Sequence, residues 1–220
     1  MSHEIRSPIN TIFNFTDLIK SNLDLTKDVE LKESFDSIER AGDRIVRTID
    51  LILNMSEIQT GSYECIYKEL KLNEIIANHI FPEFSYKAKK KNLELILNIS
   101  PDPLVVIADE YSLVQIFVNI IDNAIKYTKQ GKVEIISFRN ENNKATIKIA
   151  DTGIGISEEY LANIFTAFFQ EQQGYTRQYE GNGLGLALVK KYCEINDAEI
   201  FVDSKKGEGS VFTVVFNKTL

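Results

Sequence analysis

The sequence is poor in cysteine, in histidine and in long apolar runs, and it carries no excess of basic charge. Its two cysteines, Cys65 and Cys193, lie far apart, fit no metal-ligand spacing and read as the reduced thiols of a cytoplasmic protein. No signal peptide is expected. No apolar stretch approaches the ~18–20 residues that span a bilayer. The longest candidate, residues 113–125, is broken by Gln115, Asn119, Asp122 and Asn123. Twenty-five Lys and Arg against 32 Asp and Glu leave a formal net charge of −7, which argues against the basic face that nucleic acid requires. The one basic run, residues 87–91, is interrupted by Ala88 and reads as the solvated C-terminal end of a helix.

The first sixty residues carry two apolar stripes. Ile5, Ile9, Ile12, Thr16, Ile19 and Leu23 alternate spacings of four and three, with Thr16 the single polar member. Residues 23–28 read as a connection, with Thr26 or Asp28 capping the next helix. Leu31, Phe35, Ile38, Gly42, Ile45, Ile49, Ile52 and Ser56 repeat the spacing, and Gly61 stops it. The pattern predicts a helical hairpin over residues 1–61. One hairpin has little core, since each ordered residue costs ~1–2 kcal/mol of backbone entropy. The stripes are best satisfied by a second copy, as a dimeric four-helix bundle. A hairpin packed on its own chain is the other arrangement. The first stripe is already under way at Ile5, so a sensor segment is expected upstream.

Residues 62–220 have a different texture. Strands are predicted over 64–72, 93–99, 104–108, 132–139, 144–150, 199–203 and 210–216. Asn73 is expected to cap a helix reaching Lys90, interrupted by Pro82. Further helices are predicted over 110–128, 158–165 and 185–196. Several strands are hairpin-joined and no βαβ repeat appears, so the fold class is α+β, a helical hairpin followed by a two-layer α/β sandwich rather than a Rossmann fold.

Four motifs carry chemistry. Asn119 and Asn123 stand four apart on the long helix, on one face, with Lys126 and Tyr127 one turn on. An Asn carbonyl can ligate Mg²⁺ held mainly by phosphates and water, and a lysine suits phosphate. The same four residues also fit a plain polar stripe. Asp151-Thr-Gly153-Ile-Gly155 follows a strand, where a carboxylate can accept from an adenine amino group and glycines admit a close base; a simple turn needs the same residues. Phe165, Phe168 and Phe169 precede a polar stretch, residues 170–180, that can close as a lid, with Arg177 its only arginine. Gly181-Asn-Gly183-Leu184-Gly185 opens a helix whose free N–H groups can bind phosphate. Each motif is weak alone, and their order is what is specific.

The opening stretch supplies an acceptor. A neutral imidazole is nucleophilic near neutral pH, and Glu4 can orient His3 or take its proton. Pro8 is expected to kink the helix just beyond, freeing the Glu4 carbonyl. His79 reads as structural.

Together, His3-Glu-Ile-Arg-Ser7-Pro8 and the four ordered motifs resemble the H, N, G1, F and G2 boxes of sensor histidine kinases of two-component systems. The resemblance covers essentially the whole chain, and Gly207, Gly209 and Phe212 resemble a further glycine-rich element. It implies a domain for dimerisation and histidine phosphotransfer over 1–61 and a Bergerat-type ATP-binding domain over 62–220. It implies ATP and Mg²⁺ as cofactors, autophosphorylation of His3, and transfer to an aspartate of a response-regulator receiver domain. His3, Glu4 and Ser7 would be the catalytic set. Asn123 would ligate Mg²⁺ with Asn119 beside it, and Lys126 and Arg177 would face phosphates. Tyr127 would pack near the adenine and Asp151 would read its amino group. Gly153, Gly155, Gly181, Gly183, Leu184 and Gly185 would shape pocket and lid. The family usually has Thr where Ser7 stands, which weakens the implied phosphatase half of the activity. Hydrolysing relatives of the same ATP fold place a Glu four residues before the Mg²⁺-binding Asn. Asn119 stands there instead, which favours transfer over hydrolysis. A homodimer through the hairpin, no nucleic acid, and membrane attachment only through segments outside this chain complete the expectation. The alternative is a binding module that keeps the fold without the chemistry.

Overall fold

The computed structural model describes residues 2–23, 29–169 and 182–219, with side chains from residue 7 in the first segment and from 30 in the second. The chain divides into two compact units, Met1–Tyr63 and Glu64–Leu220. Among the described residues no helix is long and apolar enough to cross a membrane.

The first unit is the predicted hairpin, α1 (Ser2–Ser21) and α2 (Val29–Thr60). Helix α1 runs on through Pro8, which removes one backbone bond without ending the helix. The proposed caps Thr26 and Asp28 lie outside the described residues. Phe13 lies against α2, and Thr16 and Phe35 are buried in the hairpin. A Cβ at Gly42 would stand 2.3 Å from the Phe13 ring, so the glycine lets that ring lie on α2. Thr16, the polar member of the stripe, is buried and its hydroxyl donates to the Ile12 carbonyl at 2.8 Å. Much of the described stripes is exposed. Ile12, Phe15, Leu18 and Ile19 on α1 are exposed, and so are Ile38 (46%), Ile45 (50%) and Ile52 (47%) at heptad spacing on α2.

The second unit opens with β1 (Tyr67–Lys71), a one-turn helix α3 (Leu72–Ile75), a π-helical turn (Ile76–Ile80) and α4 (Phe81–Lys90). Then come β2 (Glu94–Asn98), β3 (Val105–Asp109) and α5 (Glu110–Tyr127). The rest is β4 (Lys132–Arg139), β5 (Ala145–Asp151), α6 (Glu158–Leu161), α7 (Gly185–Ile195), β6 (Ala198–Lys205) and β7 (Gly209–Phe216). Five strands form one sheet in the order β2-β4-β5-β7-β6, while β1 and β3 form a separate pair. Helices α4, α5 and α7 pack on β2, β5 and β6, with α5 between the other two. Phe84, Phe117, Leu113, Ile116, Ile120 and Phe216 fill the space between sheet and helices, all fully buried. This is the expected two-layer sandwich.

Three local expectations change, and one pairing is new. The strand predicted over 64–72 is shorter, because the Asp109 carboxylate takes the Ile66 N–H at 3.0 Å in place of a strand carbonyl. Asn73 does not cap a helix. Its side chain donates to the Ser100 and Asp102 carbonyls, both at 3.1 Å, and accepts from the Ser137 hydroxyl at 2.8 Å. It ties the β2–β3 connection to β4. Pro82 does not break the helix either, since it sits in the first turn of α4, where no N–H is needed, after the π turn has widened the backbone. Strands β2 and β3, adjacent in sequence, do not pair: β2 runs parallel to β4 and β3 antiparallel to β1.

Candidate nucleotide site

Helix α5 is fixed at both ends before it presents any functional side chain. At its start Asp109 accepts the Ser112 N–H at 2.9 Å, a side-chain N-cap. Buried Asn196, just past α7, accepts the Asp109 N–H at 2.7 Å and donates to the Ser112 hydroxyl at 2.8 Å. At its end Thr128 is buried, with its hydroxyl on the Ala124 carbonyl at 2.7 Å. The two asparagines then differ. Asn119 is buried and donates to the Gln115 carbonyl at 2.8 Å. Its oxygen faces the first turn of α7, 3.2 Å from where a Cβ on Gly185 would stand. Asn123 is half-buried, and no hydrogen bond joins its carboxamide to another described residue. Lys126 lies over the Tyr127 ring, 4.7 Å from its centroid, with its ammonium 3.2 Å from the Tyr127 hydroxyl.

Asp151 ends β5 and begins the loop facing that helix end. Its carboxylate accepts the Gly153 N–H at 2.8 Å. Burial pushes the carboxyl above its ordinary pKa, partly offset by the N–H groups of Gly153 and Ser210. The Ile154 N–H donates to the Tyr127 carbonyl at 3.3 Å, stitching the loop to the end of α5. Gly155 has φ +62°, and a Cβ there would meet the Lys205 carbonyl at 2.0 Å. Only glycine fits where this loop and the β6–β7 turn press together.

The third and fourth motifs meet each other. The Phe168 N–H donates to the Gly183 carbonyl at 3.0 Å. Tyr160 stacks on Phe169 at 5.0 Å between centroids, and its hydroxyl donates to the Phe169 carbonyl at 2.8 Å. The Leu184 N–H is taken by Asn182 at 3.1 Å, and Leu184 itself is buried. Among the described residues no side chain caps the start of α7, which leaves its first N–H groups suited to meet an anion.

The structure therefore assembles Asn119, Asn123, Lys126, Tyr127, Asp151, Gly153, Gly155, Gly183, Leu184 and Gly185 within one unit. Arg177 and Gly181 lie outside the described residues. His3 and Glu4 fall in the first turn of α1, in the other unit, and Ser7 follows one turn on, exposed, with its carbonyl accepting from Thr11 at 2.9 Å. His79 is exposed on the π turn. Sequence reasoning missed Gly131 and its contact with Thr152 of the Asp151 motif. Gly131 has φ +111°, and a Cβ there would stand 2.2 Å from the Thr152 hydroxyl, which accepts the Lys132 N–H at 3.0 Å. The glycine before a strand was the available signal.

Comparison with known proteins decides the family. A family model described as "His Kinase A (phospho-acceptor) domain" matches residues 1–61. A second, "Histidine kinase-, DNA gyrase B-, and HSP90-like ATPase", matches residues 108–220. The chain belongs to the sensor histidine kinases. An uncharacterised sensor-like histidine kinase of Rhizobium meliloti is 33% identical over 216 residues, 97% of this chain and 41% of that protein. The sensor histidine kinase GacS of Pseudomonas protegens is 34% identical over 222 residues, 99% of this chain and 24% of GacS. Among solved structures, full-length ShkA in complex with AMPPNP superposes with a TM-score of 0.79 at 25% identity, covering 99% of this chain and 44% of ShkA. The kinase core described here thus spans less than half the length of these relatives. The hairpin is the part matched by the phosphoacceptor model, and residues 108–220 of the sandwich are the part matched by the ATPase model.

Proposed function

We propose that this chain is the catalytic core of a two-component sensor kinase: it transfers the γ-phosphate of ATP to His3 and then to an aspartate of a response-regulator receiver domain. The observation that carries the ATP half is the contact of Asn119 with Gly185. It brings the polar face of α5 against the uncapped start of α7, and Asp151 lies at the α5 end of the same unit. Phosphates would meet the α7 amides and Lys126, and the adenine amino group would donate to Asp151. In the acceptor unit, Glu4 would polarise His3, whose imidazole nitrogen forms the new bond to phosphorus as ADP leaves.

A magnesium ion fits this arrangement. Among the described residues no cluster of three His, Cys, Asp or Glu side chains could hold a metal, so a cation would draw its ligands chiefly from phosphates and water. The half-exposed Asn123 carboxamide is suited to add one oxygen. The ion would supply charge neutralisation on the phosphates. ATP as substrate and the free thiols of Cys65 and Cys193 agree with a cytoplasmic setting. Protein labelled from γ-labelled ATP and then mixed with a receiver domain is expected to lose label as the receiver gains it. Label retained by every receiver domain offered would reject the relay half of the proposal.

The exposed heptad on α2 supports a homodimer. Substituting Ile45→Asp at its centre puts a charge into the face that a second copy would cover. The dimer is expected to dissociate with a Kd raised roughly 100-fold or more, read by light scattering after gel filtration. An Ile45→Asp protein of unchanged dimeric mass would move the interface elsewhere.

A further inference from the structure

The basic run over residues 87–91 has no part in the nucleotide chemistry drawn from the sequence, yet its lysines do not behave alike. Lys87 pairs with Glu83 at 2.9 Å and approaches Asp122 at 3.9 Å. Lys90 lies over the Tyr86 ring, 4.7 Å from its centroid. Lys91 does neither. Its ammonium crosses to α5 and donates to the Ile125 carbonyl at 2.8 Å and the Lys126 carbonyl at 3.1 Å. These carbonyls belong to the last turn of the helix, where no further helical N–H follows to bond them and the helix dipole is negative.

The backbone that aims this side chain is itself fixed. The Lys91 N–H donates to the Ala88 carbonyl at 3.0 Å, and the Leu93 N–H to the same carbonyl at 3.0 Å. Asn92 takes a left-handed φ of 56° between them, and the Glu94 N–H donates to Gly131 at 3.1 Å, just after α5 ends. The turn closing α4 and the segment following α5 are thus held together, with the Lys91 ammonium on the helix end. That end carries Lys126 and Tyr127, and the Tyr127 carbonyl anchors the loop of Asp151 and Gly153 through Ile154.

We propose that Lys91 is a positioning residue for nucleotide binding: it holds the last turn of α5 so that Lys126, Tyr127 and the Asp151 loop keep the geometry ATP requires. A positive charge there also offsets the negative helix end that would otherwise oppose phosphate nearby. Partial burial lowers the Lys91 pKa, with Asp122 opposing that shift and Lys126 adding to it, so the two ammoniums sense each other across the helix end. The proposal rests on the nucleotide site described above.

The test uses the full 220-residue chain, titrated with ATP and Mg²⁺ and assayed for autophosphorylation. Lys91→Met is expected to raise the ATP Kd and KM roughly tenfold, the effect of losing one charge-assisted restraint, while kcat stays within about twofold. Lys91→Arg, which can still reach both carbonyls, is expected to bind ATP within about threefold of the wild type. Lys90→Met should bind as the wild type does. If Lys91→Met fails to fold, Lys91→Gln is measured in its place. A lowered melting temperature with Kd and KM unchanged would overturn the role, as would an arginine variant no better than the methionine one. Wild-type protein that does not bind ATP would instead reject the nucleotide site, and with it this role.

Discussion

Asp151→Asn is expected to lower ATP affinity by about 10²–10³-fold while leaving the fold intact. The carboxylate is the proposed acceptor for the adenine amino group, and an amide can present a donor where an acceptor is required. The Gly153 N–H, at 2.8 Å, still finds an oxygen in the variant. Stability should move the other way. Burial raises the folded-state pKa of Asp151 above its unfolded value, so the folded protein binds the proton more tightly. The stability this group contributes is fully present below the unfolded pKa, near 4, and is lost as pH rises through the folded pKa. Asparagine carries no such penalty. At neutral pH the variant should be as stable as the wild type or more so, and its stability should fall less between acid and neutral pH. ATP titration and denaturant melts across that range check both statements. A variant that melts early at neutral pH and still binds ATP would reverse the assignment.

Gly209→Val is expected to remove about 3–6 kcal/mol of stability, from φ strain and backbone overlap together. Gly209 has φ +105°, and a Cβ there would stand 2.0 Å from the Asp151 carbonyl oxygen and 3.0 Å from the Thr152 Cα. These are backbone atoms of the β5–β7 pairing, so no side chain can swing away. The melting temperature should fall by roughly 10 °C or more for a chain of this size. Whatever fraction still folds should bind ATP poorly, because the displaced atoms carry Asp151. Gly207 is the internal control. Its φ is +85°, yet nothing stands within 4 Å of a Cβ there, so Gly207→Ala should cost only the strain, about 1–2 kcal/mol. Equal melting temperatures for the two variants would show that the close approach at Gly209 is not what requires glycine there.

The contrast between these glycines indicates what a sequence can disclose. The heptad stripes of the hairpin were legible because their period is local and holds over eight positions on α2. The four motifs could be read because each is a short run and their order is specific, and their described residues fall in one unit. The sheet order was not. Pairing of β2 with β4 and of β1 with β3 depends on contacts across dozens of residues, and two strands joined by a short turn look like a hairpin until a third strand competes. Asn73 fits a helix cap in sequence but serves three partners in the β2–β3 connection and β4. Lys91 looks like any lysine at a helix end, and only the folded chain shows its ammonium on the carbonyls of another helix. Asn119 and Asn123 share a face as their spacing required, but their division into a buried contact with α7 and an open carboxamide comes from where α7 packs.

The most direct test of the central claim is the chemistry of the label that γ-labelled ATP leaves on the protein. Wild-type protein, His3→Ala and Asn123→Ala are incubated with labelled ATP and Mg²⁺, and the incorporated label is exposed to acid and to base. Acid-labile, base-stable label on the wild type, absent from both variants, is the predicted result: phosphohistidine at His3, made from nucleotide held by α5. Label that survives acid, or that persists in His3→Ala, would place the phosphate on another residue and contradict the account.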